Sequence, residues 1–235
     1  MKLERPAQQS LALPKPRGGK RPGAGRPANG PRASEPHKTR PYLAARCPVH
    51  VTVRVVRDVA PLRTRALYRA IRWATLTAAQ RDREHFRIIH VSIQRTHVHL
   101  VVEARDRMKL ARGVQSFEIS AARLINRACA RRGAVFPDRY HAHILQTPSE
   151  VRRAVSYVLL NWRKHHEDRR VSWRLDPYST AISFPHWREL AHSPFLYRPP
   201  PRYERLVTYL PRTWLLRNAF AHARHPSVYD TPSRG

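Results

Sequence analysis

Acidic residues are scarce in this sequence, with 16 Asp and Glu against 45 Lys and Arg. The resulting formal net charge of +29 argues against a basic partner and predicts strong, salt-sensitive attraction to a polyanion. Most of the excess is arginine, whose planar guanidinium group suits bidentate contacts with phosphate. Nucleic acid is therefore the expected partner, and an anionic membrane surface is the rival.

Long apolar runs and closely spaced cysteines are missing as well. No stretch of about 20 apolar residues predicts a membrane span, and the first ten residues have no signal-peptide-like run. Cys47 and Cys129 lie outside any Cys-x-x-Cys spacing, which argues against a cysteine zinc site and for a reducing compartment. We therefore expect a cytoplasmic, nucleoid-associated protein without a membrane partner.

Composition divides the chain into three parts. Residues 1–45 are rich in Pro, Gly, Arg and Lys, which predicts a disordered basic arm. Residues 46–168 have the apolar periodicity of a folded domain. Residues 169–235 are rich in proline, aromatic and basic residues, which predicts an irregular extension with one or two short helices. Within the arm, "KRPGAGRPANGP" is typical of segments that follow a DNA minor groove. Arg21 and Arg26 are therefore candidate DNA contacts, and a solvated linker is the alternative.

The folded part predicts the order strand, helix, strand, strand, helix, strand, helix. "PVHVTVRVVRDV" alternates as a half-buried strand does, and "HFRIIHVSI" and "HVHLVVEA" flank residues 94–96 as a hairpin. Gly133 is placed to end the second helix, and Thr147, Pro148 and Glu150 form the start signal of the third. This order predicts a ferredoxin-like α+β sandwich, an antiparallel sheet with helices packed on one face and the other face open to a ligand.

Two histidines stand one residue apart in "RTHVHLVVEA". Val98, Leu100 and Val102 supply the helix-facing side of this strand, so His97 and His99 share the opposite face. A strand rises about 3.3 Å per residue, which lets two such imidazoles converge on one divalent ion. The alternative is a pair of polar residues on a solvated sheet face.

The histidine strand resembles the signature of HUH nucleases, and its surroundings are similar to the single-tyrosine transposases, in particular the REP-associated tyrosine transposases. In that family a later helix carries a tyrosine nucleophile in a Tyr-Ile-x-x-Asn-Pro-Val-Lys/Arg stretch. Here "SYVLLNWRKH" places Tyr157 sixty residues after His97 and Asn161 four residues further on. The segment "GAVFPDRYHAHIL" is similar to the family's Gly-x-x-Trp/Phe-x-x-Arg-Tyr/Phe. The resemblance covers residues 48–167.

The sequence departs from the family pattern at two places. Gln94-Arg95-Thr96 replaces Met/Leu-Pro-Asn/Glu before the first histidine, which alters the turn. Trp162 replaces the proline after Asn161, so we expect the last helix to run longer.

The resemblance implies a transposase that cuts and rejoins single-stranded DNA near a hairpin through a 5′-phosphotyrosine. It implies Tyr157 as nucleophile and a Mg²⁺ or Mn²⁺ ion on His97 and His99, with Asn161 as third ligand. For Asn161, an ordinary asparagine on the helix surface is the alternative. The candidate phosphate contacts in the folded part are Arg95, Arg123, Arg127, Arg131 and Lys164.

Several alternatives stay open. Tyr140 in "DRYHAH" is a competing nucleophile, and its neighbours His141 and His143 are a second spaced histidine pair. The protein could instead be a domesticated relative that binds DNA hairpins without catalysis, or an RNA-binding protein. Relatives include monomers and homodimers, and the sequence does not decide between them.

Overall fold

The computed structural model describes residues 39–59, 61–169, 174–193, 196, 203–221 and 223–232. Arg21, Arg26 and the rest of the predicted basic arm up to residue 38 lie outside the described residues. Leu43, just before the predicted start of the folded domain, is buried with 2 % of its surface exposed. The chain therefore contributes to the core before residue 46.

The four strands form one antiparallel sheet in the order β2-β3-β1-β4. The predicted α+β class, the order of elements and the hairpin at residues 94–96 are confirmed. The elements are β1 (Val49–Arg54), α1 (Arg65–Arg81), β2 (Phe86–Ile93), β3 (His97–Ala104), α2 (Arg107–Ala128), β4 (His141–Ile144), α3 (Pro148–Lys164) and, in the extension, α4 (Trp214–Asn218).

One face of the sheet is apolar and is covered by α1 and α2. Val49, Val51 and Val53 of β1 pair with Val102, Leu100 and Val98 of β3, and all six are buried. A Cβ atom on Gly113 of α2 would lie 2.1 Å from the ring of Phe86 in β2. The absence of a side chain at Gly113 thus allows α2 to lie directly on the sheet.

The opposite face is not open, and here the structure differs from the expected layering. α3 lies across this face, with the ring of Tyr157 against His99. α3 has an apolar stripe that includes the buried Trp162, and the sheet presents the fully buried Val101 on the same side. Contact between the helix and the sheet removes apolar surface of both from water, which stabilises the fold. The extension covers the rest, because the Glu103 carboxylate accepts backbone hydrogen bonds from residues 212 and 213.

The ends of α3 explain where its side chains lie. Thr147 caps the helix by accepting a hydrogen bond from the backbone N–H of Glu150 at 3.2 Å, as the start signal predicts. At the other end Trp162 continues the helix, which stops only where His166 takes a positive φ of 58° and Glu167 N–H donates to the Trp162 carbonyl at 2.9 Å. The expected extension past Asn161 is therefore present and carries Lys164.

α2 ends earlier than Gly133. The helix stops at Ala128, Ala130 takes the left-handed conformation with φ 49°, and Arg131 N–H donates to the Asn126 carbonyl at 2.9 Å. Gly133 also has a positive φ, 98°, and lies in the loop that follows. The termination motif thus forms without glycine.

The described part of the extension packs against the sheet and α1. The Arg63 guanidinium donates to both carboxylate oxygens of the buried Asp176, at 3.0 and 2.8 Å. Backbone bonds from Ile93 N–H to the Tyr178 carbonyl and from Tyr209 N–H to the Ile88 carbonyl fix the extension along β2. None of the described helices is both long enough and apolar enough to cross a membrane.

Candidate active site

The two histidines of β3 point their rings at each other on the face covered by α3. The Nε2 atoms of His97 and His99 are 3.0 Å apart, and the ring centroids are separated by 4.6 Å. His99 is buried, with 4 % of its surface exposed, and His97 is half-buried. The pair is therefore enclosed and does not lie on a solvated surface.

The other nitrogen of each ring has its own partner. His99 Nδ1 lies 3.1 Å from the Thr52 hydroxyl oxygen and 3.1 Å from His50 Nε2, and His97 Nδ1 lies 3.3 Å from the Thr96 hydroxyl oxygen. With Nδ1–H donating to these hydroxyl groups, the Nε2 atoms of both rings would carry lone pairs. A separation of 3.0 Å fits two nitrogens that share one cation, and it equally fits an Nε2–H···Nε2 hydrogen bond between the rings.

These imidazoles are held in the neutral form. Burial lowers the pKa of His97 to about 4, with smaller contributions from His165 and Arg54. Burial also lowers the pKa of His50 to about 4 and that of His99 well below its usual value. Neutral imidazole is the form that binds metal ions, so no proton has to leave at neutral pH.

α3 brings a phenol to the histidines. The ring centroid of Tyr157 is 5.4 Å from that of His99 and 5.9 Å from that of His50. Lys164 Nζ also lies 4.8 Å from the centroid of the Tyr157 ring. The candidate nucleophile thus has both a histidine of the pair and an ammonium group as neighbours.

Asn161 lies one helical turn after Tyr157 and is completely buried. Neither its amide oxygen nor its amide nitrogen has a hydrogen-bond partner. Each unsatisfied buried polar group costs about 1–3 kcal/mol, so a buried amide without partners calls for a functional explanation. In the part of the chain that the structure describes, no three His, Cys, Asp or Glu side chains form a metal-binding group. A third protein ligand would have to be of another type, and an amide oxygen is one.

Tyr140, the competing nucleophile, lies in different surroundings. It is buried, Arg40 covers its ring at 3.8 Å, and burial raises the pKa of its hydroxyl group. Its electrostatic neighbours are Arg40 and Glu118 of α2, the helix on the other face of the sheet. The neighbouring His141 and His143 are exposed on the edge strand β4, where they pair with Thr52 and His50 of β1.

The candidate phosphate contacts separate into two groups. Lys164 lies at the site, and the exposed Arg95 precedes His97 in the hairpin, with its Nε 3.8 Å from a Glu167 carboxylate oxygen. The other three candidates belong to α2 and the loop after it, away from Tyr157. Arg123 and Arg127 are exposed, whereas Arg131 donates hydrogen bonds to the Asn126 side chain and the Ala134 carbonyl.

Sequence reasoning missed three neighbours of the histidine pair. His50 and Thr52 of β1 contact His99, and the His165 ring lies 5.7 Å from the His97 ring. A signal was present, because residues 50 and 52 alternate with the buried valines of β1. Only the pairing of β1 with β3 shows which neighbour they meet.

Fold and site together define a class: a ferredoxin-like α+β domain with a paired-histidine centre that faces a helix-borne tyrosine. Residues 47–159 match the family model described as IS200-like transposase. This match confirms, for that segment, the resemblance to the single-tyrosine transposases that the sequence indicates.

A solved structure of a REP-associated tyrosine transposase bound to a REP hairpin has the same fold. It matches with a TM-score of 0.50 and 18 % identity, over 74 % of this chain and 99 % of that chain. No curated protein matches this chain.

Proposed function

We propose that this protein is a metal-dependent transposase that cleaves and rejoins single-stranded DNA at hairpin-containing sites through a 5′-phosphotyrosine. The observation that carries the proposal is the position of Tyr157 beside the histidine pair. The ring centroids of Tyr157 and His99 are 5.4 Å apart, and the Nε2 atoms of His99 and His97 are 3.0 Å apart. The family match and the hairpin-bound relative support the substrate class.

His97, His99 and Asn161 would hold the divalent ion. Two donor atoms that each lie about 2.1 Å from one ion, at a right angle, are about 3.0 Å apart. The Nε2 atoms of the histidine pair have that separation, and the partnerless amide of Asn161 adds a hard oxygen. The chemistry that Mg²⁺ or Mn²⁺ supplies at such a site is stabilisation of negative charge on the non-bridging phosphate oxygens.

Tyr157 supplies the covalent step. Its phenolic oxygen gives up its proton and forms a bond to phosphorus while the bond between phosphorus and the 3′-oxygen breaks, and the 3′-oxygen takes up a proton and leaves as a 3′-hydroxyl group. The phosphodiester energy is kept in the phosphotyrosine, so attack by a 3′-hydroxyl group reverses the step and rejoins DNA. Lys164, 4.8 Å from the phenol ring, contributes positive charge beside the phosphate.

A covalent-adduct assay tests the proposal. Labelled single-stranded hairpin DNA is incubated with the protein and Mn²⁺, and an SDS-resistant adduct is expected that disappears in EDTA and in Tyr157→Phe. Tyr140→Phe is the matched control, because it removes the hydroxyl group of the competing tyrosine. That hydroxyl is buried without a partner, so the control variant should fold and form the adduct.

Two other outcomes would contradict the proposal. An adduct lost in Tyr140→Phe and kept in Tyr157→Phe would move the nucleophile to the other tyrosine. Tight hairpin binding without an adduct would favour the hairpin-binding alternative, and a preference for RNA over DNA of the same sequence would favour an RNA partner.

A further inference from the structure

An arginine-lined cleft opens between α3 and the extension. Its volume is about 400 Å³, and among the described residues its wall contains four arginines and one carboxylate, that of Asp230. Two of the arginines come from α3 and two from the extension: Arg152, Arg153, Arg188 and Arg224. A concave site with this charge selects an anionic ligand.

Two of these arginines hold the cleft together. Arg152 Nη1 donates to the Ala219 carbonyl at 3.0 Å, which ties α3 to the extension. Arg188 Nη2 lies 4.0 Å from the Asp230 carboxylate, while its buried Nε has no hydrogen-bond partner. Arg188 therefore keeps a donor that the cleft's own carboxylate does not satisfy.

The other two arginines are exposed at the cleft. Arg153 extends from α3 and Arg224 from the extension, and both side chains are open to solvent. Guanidinium groups on facing walls can grip the oxygens of a phosphate from both sides. The floor contributes the buried Phe220.

Two residues of the cleft wall are neighbours of the candidate nucleophile on α3. Arg153 precedes Tyr157 by four residues and lies on the same side of α3, about 6 Å along the helix axis. Ser156, the direct neighbour of Tyr157, is also part of the cleft wall.

We propose that this cleft binds backbone phosphates of the DNA strand immediately beside its cleavage point. The inference rests on the proposed function, because it takes Tyr157 as the position of the scissile phosphate. Half of the cleft arginines lie beyond residue 159, where the family-model match ends, so the extension provides part of the strand's path. Contacts of this kind position the backbone and do not read its sequence.

Binding measurements test the cleft separately from catalysis. Fluorescence anisotropy is recorded with single-stranded oligo(dT) and with a tailed hairpin, using full-length Tyr157→Phe protein in EDTA over a range of salt concentrations. The test variant adds Arg153→Gln and Arg224→Gln, and the matched control adds Arg69→Gln and Arg81→Gln, two exposed arginines of α1 on the other side of the sheet. Circular dichroism confirms that both variants are folded.

The cleft variant should lose affinity several-fold for both ligands. Its slope of log affinity against log salt should fall by about 1.4, since each phosphate contact to a single strand contributes about 0.7. Replacing single phosphates by neutral methylphosphonates should weaken binding of the Tyr157→Phe parent at one or two adjacent positions, and these positions should have no effect in the cleft variant.

An affinity and slope that change no more than in the control pair would overturn the cleft assignment and leave the proposed function intact. A wild-type protein that forms no adduct while the cleft variant still loses phosphate contacts would overturn the proposed function and keep the cleft as a phosphate site.

Discussion

Replacing Asn161 by leucine should stabilise the metal-free protein and abolish its response to metal. The amide is fully buried and both of its polar atoms lack partners. Leucine has the same branching and removes both groups, each of which costs about 1–3 kcal/mol when buried unsatisfied. Some of that gain is lost because leucine is larger, so we expect a rise in unfolding free energy of about 1–2 kcal/mol in EDTA.

The metal response should change in the opposite direction. A ligand that binds only the folded state at a hundred times its Kd stabilises by about 2.7 kcal/mol. Urea unfolding of the wild-type protein should therefore shift to higher midpoints with Mn²⁺, and Asn161→Leu should show little shift. The adduct should be lost although the variant is the more stable protein in EDTA.

Asn126→Leu is the matched control, because this asparagine is also helical but has partners. Its side chain donates to the Gly133 carbonyl at 2.9 Å and accepts from Arg131 at 3.0 Å. The control should lose about 1 kcal/mol of stability. If Asn161→Leu instead lost 1 kcal/mol or more in EDTA, the amide would be a structural hydrogen-bonding group and its role as a ligand would be refuted.

Three further predictions concern the fold. Gly113→Ala should destabilise by up to about 2 kcal/mol in urea unfolding, because the new Cβ would lie 2.1 Å from a buried phenylalanine ring of β2. Overpacking costs about 1–3 kcal/mol, and the gain in helix propensity offsets about 1 kcal/mol of that cost. A variant more stable than the wild-type protein would contradict this. Burial lowers the pKa of His90 to about 4, so the unfolded chain takes up the proton first, and the stabilisation present above pH 6.5 is lost as the pH falls towards 4. In EDTA, the free energy of unfolding of the wild-type protein should fall by about 3 kcal/mol more than that of His90→Asn over that pH interval. Equal losses in the two proteins would contradict the lowered pKa of His90. Arg63→Met leaves the buried Asp176 carboxylate without its charged partner and should cost about 3–5 kcal/mol at pH 7. Arg72→Met removes a more exposed ion pair with Glu204 and a hydrogen bond to the Arg205 carbonyl, and should cost about 1 kcal/mol. Urea unfolding measures both free-energy changes, and equal costs would refute a stabilising role of the buried Arg63–Asp176 ion pair.

The sequence was sufficient for the elements and for the central pair of the site. Alternation in β3 placed His97 and His99 on one side of the strand, and the interval to Tyr157 could be read against a family pattern. Both signals are local, since they depend only on the period of a strand or a helix. The start of α3 was predicted for the same reason, because its capping residues are adjacent in sequence.

What the sequence could not show depends on pairing between distant segments. His50 and Thr52 become partners of His99 only because β1 lies beside β3, and strand order is not encoded in either strand's period. The coverage of the second sheet face also depends on contacts between segments that are far apart in the sequence. The Glu103 carboxylate on this face accepts hydrogen bonds from backbone N–H groups more than 100 residues away.

Placement of the candidate nucleophile depends on more than the segment that matches the family model. The apolar stripe of α3 packs on the sheet, and the extension contacts the helix from outside. Arg152 donates a hydrogen bond to the Ala219 carbonyl at 3.0 Å, and Arg163 donates one to the Val228 carbonyl at 2.7 Å. Catalytic groups must be held close to their productive positions, and here the bracing contacts flank Tyr157 at both ends of its helix. The extension is therefore part of what fixes the phenol against the histidines, and a chain cut at residue 168 should lose that fixed position even where the matched segment still folds.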